Sequence, residues 1–210
     1  KREATRKLPD VGSISITLDD LKTTTEVCFE AGRTEDAFIL NHDAQPHETI
    51  RVSKYLDLIR SLAGIDTRAV VRSENNFPTG AGLASSASGF AALAMAAARA
   101  AGIELSLSEL SVLARQGSAS AARSLYGGFV EMRRGELDDG TDAHAIPIIE
   151  ADAWPLGVAV AITSRARKSI GSTDAMEQST ITSPFYEPWV THQEADLEAM
   201  RQAIAARDFD

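Results

Sequence analysis

The sequence predicts an α+β fold, and three observations predict it. Short segments that alternate with period two lie among segments of helical period, without strict strand–helix alternation. A glycine- and serine-rich turn separates a short apolar run from an alanine-rich helical stretch. Of 210 residues, 44% are hydrophobic and 24% charged, enough to bury one substantial core, or one core and part of a second.

In chain order, Ser13 to Leu18 alternates as Ser-Ile-Ser-Ile-Thr-Leu, and Thr23 to Phe29 and Ala37 to Leu40 are rich in β-branched or aromatic residues, so the first 40 residues read as strands. From His47 the period changes: Tyr55, Leu58, Ile59 and Leu62 fall on one helical face, and Gly64 supplies a stop. Ala69-Val70-Val71 reads as a short buried strand leading into the loop Asn75 to Gly82. Ser85 to Ala101 is apolar on almost every side, as a helix buried within the fold requires. Ser106 and Glu109 have capping-box spacing and open a helix toward Arg115. Gly127 to Met132 and Leu156 to Ile162 read as strands, and Ser172 to Thr182 and Glu194 to Ala206 as helices. Asp138 to Asp142 lacks the spaced ligands of a calcium loop and reads as a hairpin turn.

The net charge of -9 argues against nucleic acid as the main partner, because neutralising phosphate needs a dominant basic surface. No run of about 18 apolar residues is present to span a membrane, and no apolar region follows the charged N-terminus as in a secretory signal. Cys28 has no disulfide partner in the chain and reads as a small core residue of a protein kept in a reduced compartment, which is expected to be cytoplasmic. The histidines, His42, His47, His144 and His192, are too scattered for a zinc site. The chain opens on Lys1 rather than methionine and stops just past a helical pattern, so a segment of a longer protein is expected.

The sharpest feature is the run Pro78-Thr79-Gly80-Ala81-Gly82-Leu83-Ala84-Ser85-Ser86-Ala87-Ser88 between strand and helix. Its small residues let backbone N–H groups approach phosphate oxygens at a helix N-terminus, and the Ser85 and Ser86 hydroxyls can add hydrogen bonds or reach a phosphate-bound magnesium ion. It is neither a Walker A loop nor a dinucleotide fingerprint. On spacing alone, a tight serine-capped turn and a phosphate loop both fit. Further along, Ser118, Ser120 and Arg123 group two hydroxyls and a guanidinium at the start of a short helix, which suits a carboxylate or diphosphate. An N-cap serine with a surface arginine fits the same residues.

The loop resembles the second motif of the GHMP kinases, and the wider run from Asn75 is similar to the mevalonate diphosphate decarboxylase family. Gly117 to Glu131 resembles that family's substrate-binding segment, Ser172-Thr173-Asp174-Ala175-Met176 with Thr182-Ser183-Pro184 its later serine–threonine block, and Lys1-Arg2 with Leu8-Pro9 and Ser13 to Leu18 the stretch after its first strand. The matches run from end to end in the same order.

The resemblance implies a GHMP-kinase-like two-domain fold, with an N-terminal ATP- and substrate-binding domain over residues 1–148 and the start of a C-terminal domain over 149–210. It implies ATP and magnesium as cofactors, mevalonate 5-diphosphate as substrate, a homodimer, and ATP-dependent decarboxylation to isopentenyl diphosphate. Asn75, Pro78, Thr79, Gly80, Ala81, Gly82, Leu83, Ala84, Ser85 and Ser86 would bind nucleotide phosphate, with Ser86 also toward magnesium. Lys1, Ser118, Ser120 and Arg123 would contact the substrate, Arg123 facing its carboxylate as the catalytic residue of this chain. The family's catalytic aspartate is expected beyond residue 210; Asp174 belongs to a different block. Val11 stands where the family commonly has asparagine, and no arginine follows Met176, so Arg165, Arg167 and Lys168 are candidates to meet phosphate in compensation. A mevalonate 5-phosphate decarboxylase, a mevalonate 3-kinase and a catalytically silent nucleotide-binding relative are the alternative readings.

Overall fold

A computed structural model describes residues 2–78, 82–161 and 170–209. Two sheets carry the N-terminal part. One is four-stranded in the order β2-β5-β3-β4, formed by β2 (Thr23–Phe29), β3 (Ala37–Leu40), β4 (Asp43–Ala44) and β5 (Ala69–Asn75), with β3 parallel and β2 antiparallel to β5. The other is antiparallel, in the order β1-β6-β7, from β1 (Ser13–Ile16), β6 (Phe129–Met132) and β7 (Ala145–Ile149).

Three helices pack the main core: α1 (Pro46–Ala63), α2 (Ser85–Ala100) and α3 (Leu107–Gly117). Val52, Tyr55, Leu56 and Ile59 of α1 meet Ala69 and Val71 of β5, Phe90, Leu93 and Ala94 of α2, and Leu113 of α3. The Tyr55 and Phe90 rings meet edge to face at 5.1 Å, and the buried Tyr55 hydroxyl donates to the Leu113 carbonyl at 3.1 Å. Gly64 closes α1 in the left-handed conformation, and α3 opens with the expected capping box: Ser106 Oγ accepts from the Glu109 N–H while the Glu109 carboxylate accepts from the Ser106 N–H. A second, smaller core joins Leu8, Ala122, Val130, Met132, Ala143 and Ala145 beneath the three-stranded sheet.

The helices α4 (Ser172–Thr182) and α5 (Tyr186–Ala206) follow. Arg201 of α5 donates to both oxygens of Glu131 on β6, at 2.8 and 2.7 Å, and the Tyr186 hydroxyl donates to Asp10 Oδ2 at 2.5 Å, tying α5 to the three-stranded sheet.

Several sequence expectations are corrected. Cys28 is exposed, on the outward face of the alternating strand β2, and is not a core residue. Leu62 is 61% exposed; the α1 face that packs runs through Leu56 and Ile59 instead. Residues 156–161 form no strand, since an apolar run needs a neighbour to complete a ladder and none pairs with it among the described residues. Strand β7 was hidden by Pro147, which is tolerated because, among the described residues, β7 is an edge strand paired with β6 alone. Helix α5 starts at Tyr186, eight residues before Glu194, because Pro188 falls within the first turn, where the missing N–H breaks no helical hydrogen bond. The Asp138–Asp142 turn does connect an antiparallel pair, β6 and β7.

Candidate active site

Asn75 ends β5, and α2 begins at Ser85. Gly82 has φ 95° and Ala84, the residue before α2, is left-handed at φ 53°. The N-cap residue Ala84 offers no side-chain cap to α2, and the Ala87 N–H turns back to the Ala84 carbonyl at 2.7 Å. A helix start whose N-cap residue offers no side-chain cap, approached by small residues, keeps its dipole available to an anion. Thr79, Gly80 and Ala81 lie outside the described residues, as do Lys1, Arg165, Arg167 and Lys168.

A cavity of about 560 Å³ opens beside this helix start. Its lining includes Leu83, Ala84 and Ser88, Ser15, Thr17 and Thr23, and Ser120 and Arg123, the last two carried by a 3₁₀ helix over Ala119–Leu125. The fold thus brings Leu83 and Ala84 of the predicted phosphate loop together with Ser120 and Arg123 of the predicted substrate segment. Ser118 stands next to them, its hydroxyl 3.4 Å from that of Ser120. Asn75, Pro78, Gly82, Ser85 and Ser86 are outside the cavity wall; Pro78, Gly82 and Ser86 are exposed, and Asn75 Oδ1 accepts from the Thr23 hydroxyl at 2.6 Å.

Among the described residues, Arg123 is one of three charged side chains in the cavity lining, with Asp19 and Lys22. Its Nε donates to Ser15 Oγ at 2.8 Å and one terminal nitrogen to Ser13 Oγ at 2.6 Å. Burial draws its pKa below the ordinary arginine value, yet a guanidinium remains charged in a protein. No carboxylate pairs with it among the described residues, unlike Arg60, held by Asp36 and Asp57, or Arg201, held by Glu131. A half-buried cation anchored by two neutral hydroxyls keeps its charge for an anion arriving in the cavity.

Sequence reasoning missed Ser13, Ser15 and Thr23. The signal for the first two was present, since alternation in Ser-Ile-Ser-Ile puts both hydroxyls on one face of β1. What faces them is decided by β1 pairing with β6, close behind the 3₁₀ helix in sequence. Among the described residues no cluster of three or more histidine, cysteine, aspartate or glutamate side chains could hold a metal ion.

The mixed fold, the helix that starts after a small-residue loop and the arginine in the lining of the same cavity are those of a protein of the GHMP class. The match is closer than class level: a profile for the diphosphomevalonate decarboxylase-like N-terminal domain covers residues 1–145, and one for the mevalonate 5-diphosphate decarboxylase C-terminal domain covers 158–210. The chain belongs to the diphosphomevalonate decarboxylase family. It is 38% identical to the diphosphomevalonate decarboxylase of Gibberella zeae, over all of this chain and 59% of that protein. The mevalonate diphosphate decarboxylase structure from Staphylococcus aureus superimposes with a TM-score of 0.88 at 38% identity, covering 100% of this chain and 63% of that one. A structure of MDDEF in complex with MVAPP, AMPPCP and magnesium gives 0.85 at 39% identity, covering 99% and 64%. The chain therefore spans about three fifths of the length of these relatives.

Proposed function

We propose that this chain carries the phosphate-binding loop and much of the acid-substrate site of an enzyme that decarboxylates mevalonate 5-diphosphate at the expense of ATP, giving isopentenyl diphosphate, ADP, phosphate and carbon dioxide. The observation that carries the reading is Arg123: a guanidinium without a carboxylate partner among the described residues, facing the same cavity as the start of α2. The start of α2 suits a nucleotide phosphate and the Arg123 guanidinium suits a carboxylate, and both border one cavity, as phosphorylation followed by decarboxylation requires. The co-complex with MVAPP, AMPPCP and magnesium in a relative supports the same pairing of ligands.

In this reading Arg123 holds the substrate carboxylate until it leaves as carbon dioxide, with Ser13 and Ser15 fixing the plane of the guanidinium. Ser118 and Ser120 donate to substrate oxygens, and Lys1 binds the diphosphate. The backbone of residues 78–84 and the Ser85 and Ser86 hydroxyls receive the nucleotide phosphates. Magnesium would be held largely by nucleotide phosphate oxygens, with the exposed Ser86 hydroxyl in the first turn of α2 as the chain's own contribution, and would offset phosphate charge. The tertiary hydroxyl is oriented by an aspartate that the resemblance puts beyond residue 210. The division into 1–148 and 149–210 is part of the same proposal, supported by β7 ending at Ile149. So are the cytoplasmic location, consistent with no described helix being long and apolar enough to cross a membrane, and the homodimer, which sedimentation would test.

The test is release of ADP and carbon dioxide by the full-length protein offered ATP and magnesium with mevalonate, its 5-phosphate or its 5-diphosphate. Equal release of both products from the diphosphate alone is expected. ADP without carbon dioxide would identify a kinase, decarboxylation of the monophosphate would move the substrate, and silence on all three would leave a binding protein.

A further inference from the structure

The ends of the phosphate loop are joined by one side chain that lies far from both in sequence. Thr23, the first residue of β2, stands in register with Asn75, the last residue of β5 and the entrance to the loop. Its hydroxyl donates to Asn75 Oδ1 at 2.6 Å. The same oxygen lies 2.8 Å from the hydroxyl of Ser88, in the first turn of α2 and at the loop's exit. The single threonine proton goes to the carboxamide at the shorter distance, and the Ser88 proton is shared between Thr23 Oγ1 and the Ser85 carbonyl, 3.2 Å away. Thr23 and Ser88 both line the cavity. The strap before Thr23 is fixed to the same entrance: the Asn76 carboxamide accepts from the Lys22 N–H at 2.9 Å and donates to the Asp20 carbonyl at 2.6 Å.

We propose that Thr23 is a positioning residue for the nucleotide, setting the separation between the end of β5 and the N-terminus of α2 across which the loop is strung. This rests on the phosphate-loop reading above. A tie between β5 and α2 fixes the first turn of α2 before the nucleotide phosphate arrives, so ordering it on binding costs less. Arg123 has its own anchors on β1, so loss of the tie falls on the nucleotide and leaves the acid substrate's site alone.

The experiment is equilibrium titration of the full-length protein with a fluorescent ATP analogue and magnesium, beside KM values for ATP and mevalonate 5-diphosphate, in Thr23→Val, Thr23→Ser, Ser88→Ala and the Thr23→Val/Ser88→Ala double variant. One lost hydrogen bond corresponds to a nucleotide Kd about fivefold higher in Thr23→Val. The KM for ATP follows it, the KM for the acid substrate holds within about twofold, Thr23→Ser restores most of the affinity, and the double variant is no worse than either single one. Wild-type nucleotide affinity in both Thr23→Val and Ser88→Ala overturns the inference, as does a parallel rise of both KM values with a lowered Tm, or full additivity in the double variant. A wild-type protein that binds no nucleotide overturns the phosphate-loop reading itself, and shows before any variant is made.

Discussion

Arg123 Nε donates to Ser15 Oγ at 2.8 Å, and no carboxylate joins that pair among the described residues. A cation oriented by neutral oxygens is poised for an anionic ligand, so Arg123→Ala in the full-length enzyme should lower kcat by orders of magnitude while the thermal melt stays near that of the wild type. Arg123→Lys should not rescue, because an ammonium reproduces neither the fork to Ser13 and Ser15 nor bidentate binding of a carboxylate. Wild-type turnover in Arg123→Ala would remove the residue from the mechanism.

Ser15→Ala tests the anchor apart from the charge. Losing a hydrogen bond to a charged group amounts to about 1.5–3 kcal/mol, and here it frees the guanidinium to swing about its bond to Ser13. A rise in KM for the acid substrate by at least tenfold, with the KM for ATP unmoved, is the expected split in steady-state kinetics.

Ser86→Ala addresses the start of α2. Ser86 is exposed and outside the cavity lining, so removing its hydroxyl should leave stability within about 0.5 kcal/mol. The proposed contact with phosphate or magnesium predicts instead a higher KM for ATP and a higher magnesium requirement. Unchanged dependence on both would make Ser86 an ordinary surface residue.

These residues show what the sequence disclosed. Whereas spacing alone left the turn before α2 open between a tight turn and a phosphate loop, the capping box of α3 and the closeness of Ser118, Ser120 and Arg123 were legible because each is local. The partners of Arg123 were not, since Ser13 and Ser15 lie over a hundred residues away and reach it only through the β1–β6 pairing. Thr23 was invisible for the same reason. Cys28 misled because apolar neighbours suggest a core, whereas strand alternation places every second residue outward. Residues 156–161 misled because composition states a preference for strand but cannot supply the neighbour that completes the ladder.

A buried ion pair should set the acid limit of the α1 interface. Asp36, 1% exposed, accepts from Ser53 Oγ at 2.5 Å, the Ala69 N–H at 2.7 Å and Arg60 at 2.9 Å. Burial alone would raise its pKa, but these hydrogen bonds and the Arg60 charge outweigh it and hold the carboxyl below its ordinary value. A carboxyl depressed on folding contributes fully above its unfolded pKa of about 3.9 and loses that contribution as pH falls through the lower folded value. Asp36→Ala should therefore cost about 3–5 kcal/mol at neutral pH, where Arg60 is left without its buried partner. In urea melts the deficit relative to wild type should be constant above about pH 5 and shrink below about pH 4; a deficit that does not change with pH would mean that the loss is one of packing alone.

Two glycines of the core helices should respond to alanine with opposite signs. Gly117 ends α3, immediately before Ser118, and a Cβ there would lie 2.1 Å from Phe90 Cδ1. Phe90 cannot retreat freely, since its ring is packed against Tyr55 and lies under the Arg51 guanidinium, which is 4.5 Å from the ring centre and also donates to the Gly117 carbonyl. Overpacking of this kind costs about 1–3 kcal/mol, and the displaced backbone leads directly into Ser118 and Ser120, so Gly117→Ala should lower both Tm and affinity for the acid substrate. Gly89, one residue before Phe90 in the body of α2, has open space where a Cβ would stand and a helical φ. Gly89→Ala should stabilise by about 0.5–1 kcal/mol through reduced freedom of the unfolded chain. Calorimetry on the two variants checks the pair: a stabilising Gly117→Ala would mean that the Phe90 ring yields, and that close packing at the α3 terminus does not hold the substrate serines in place.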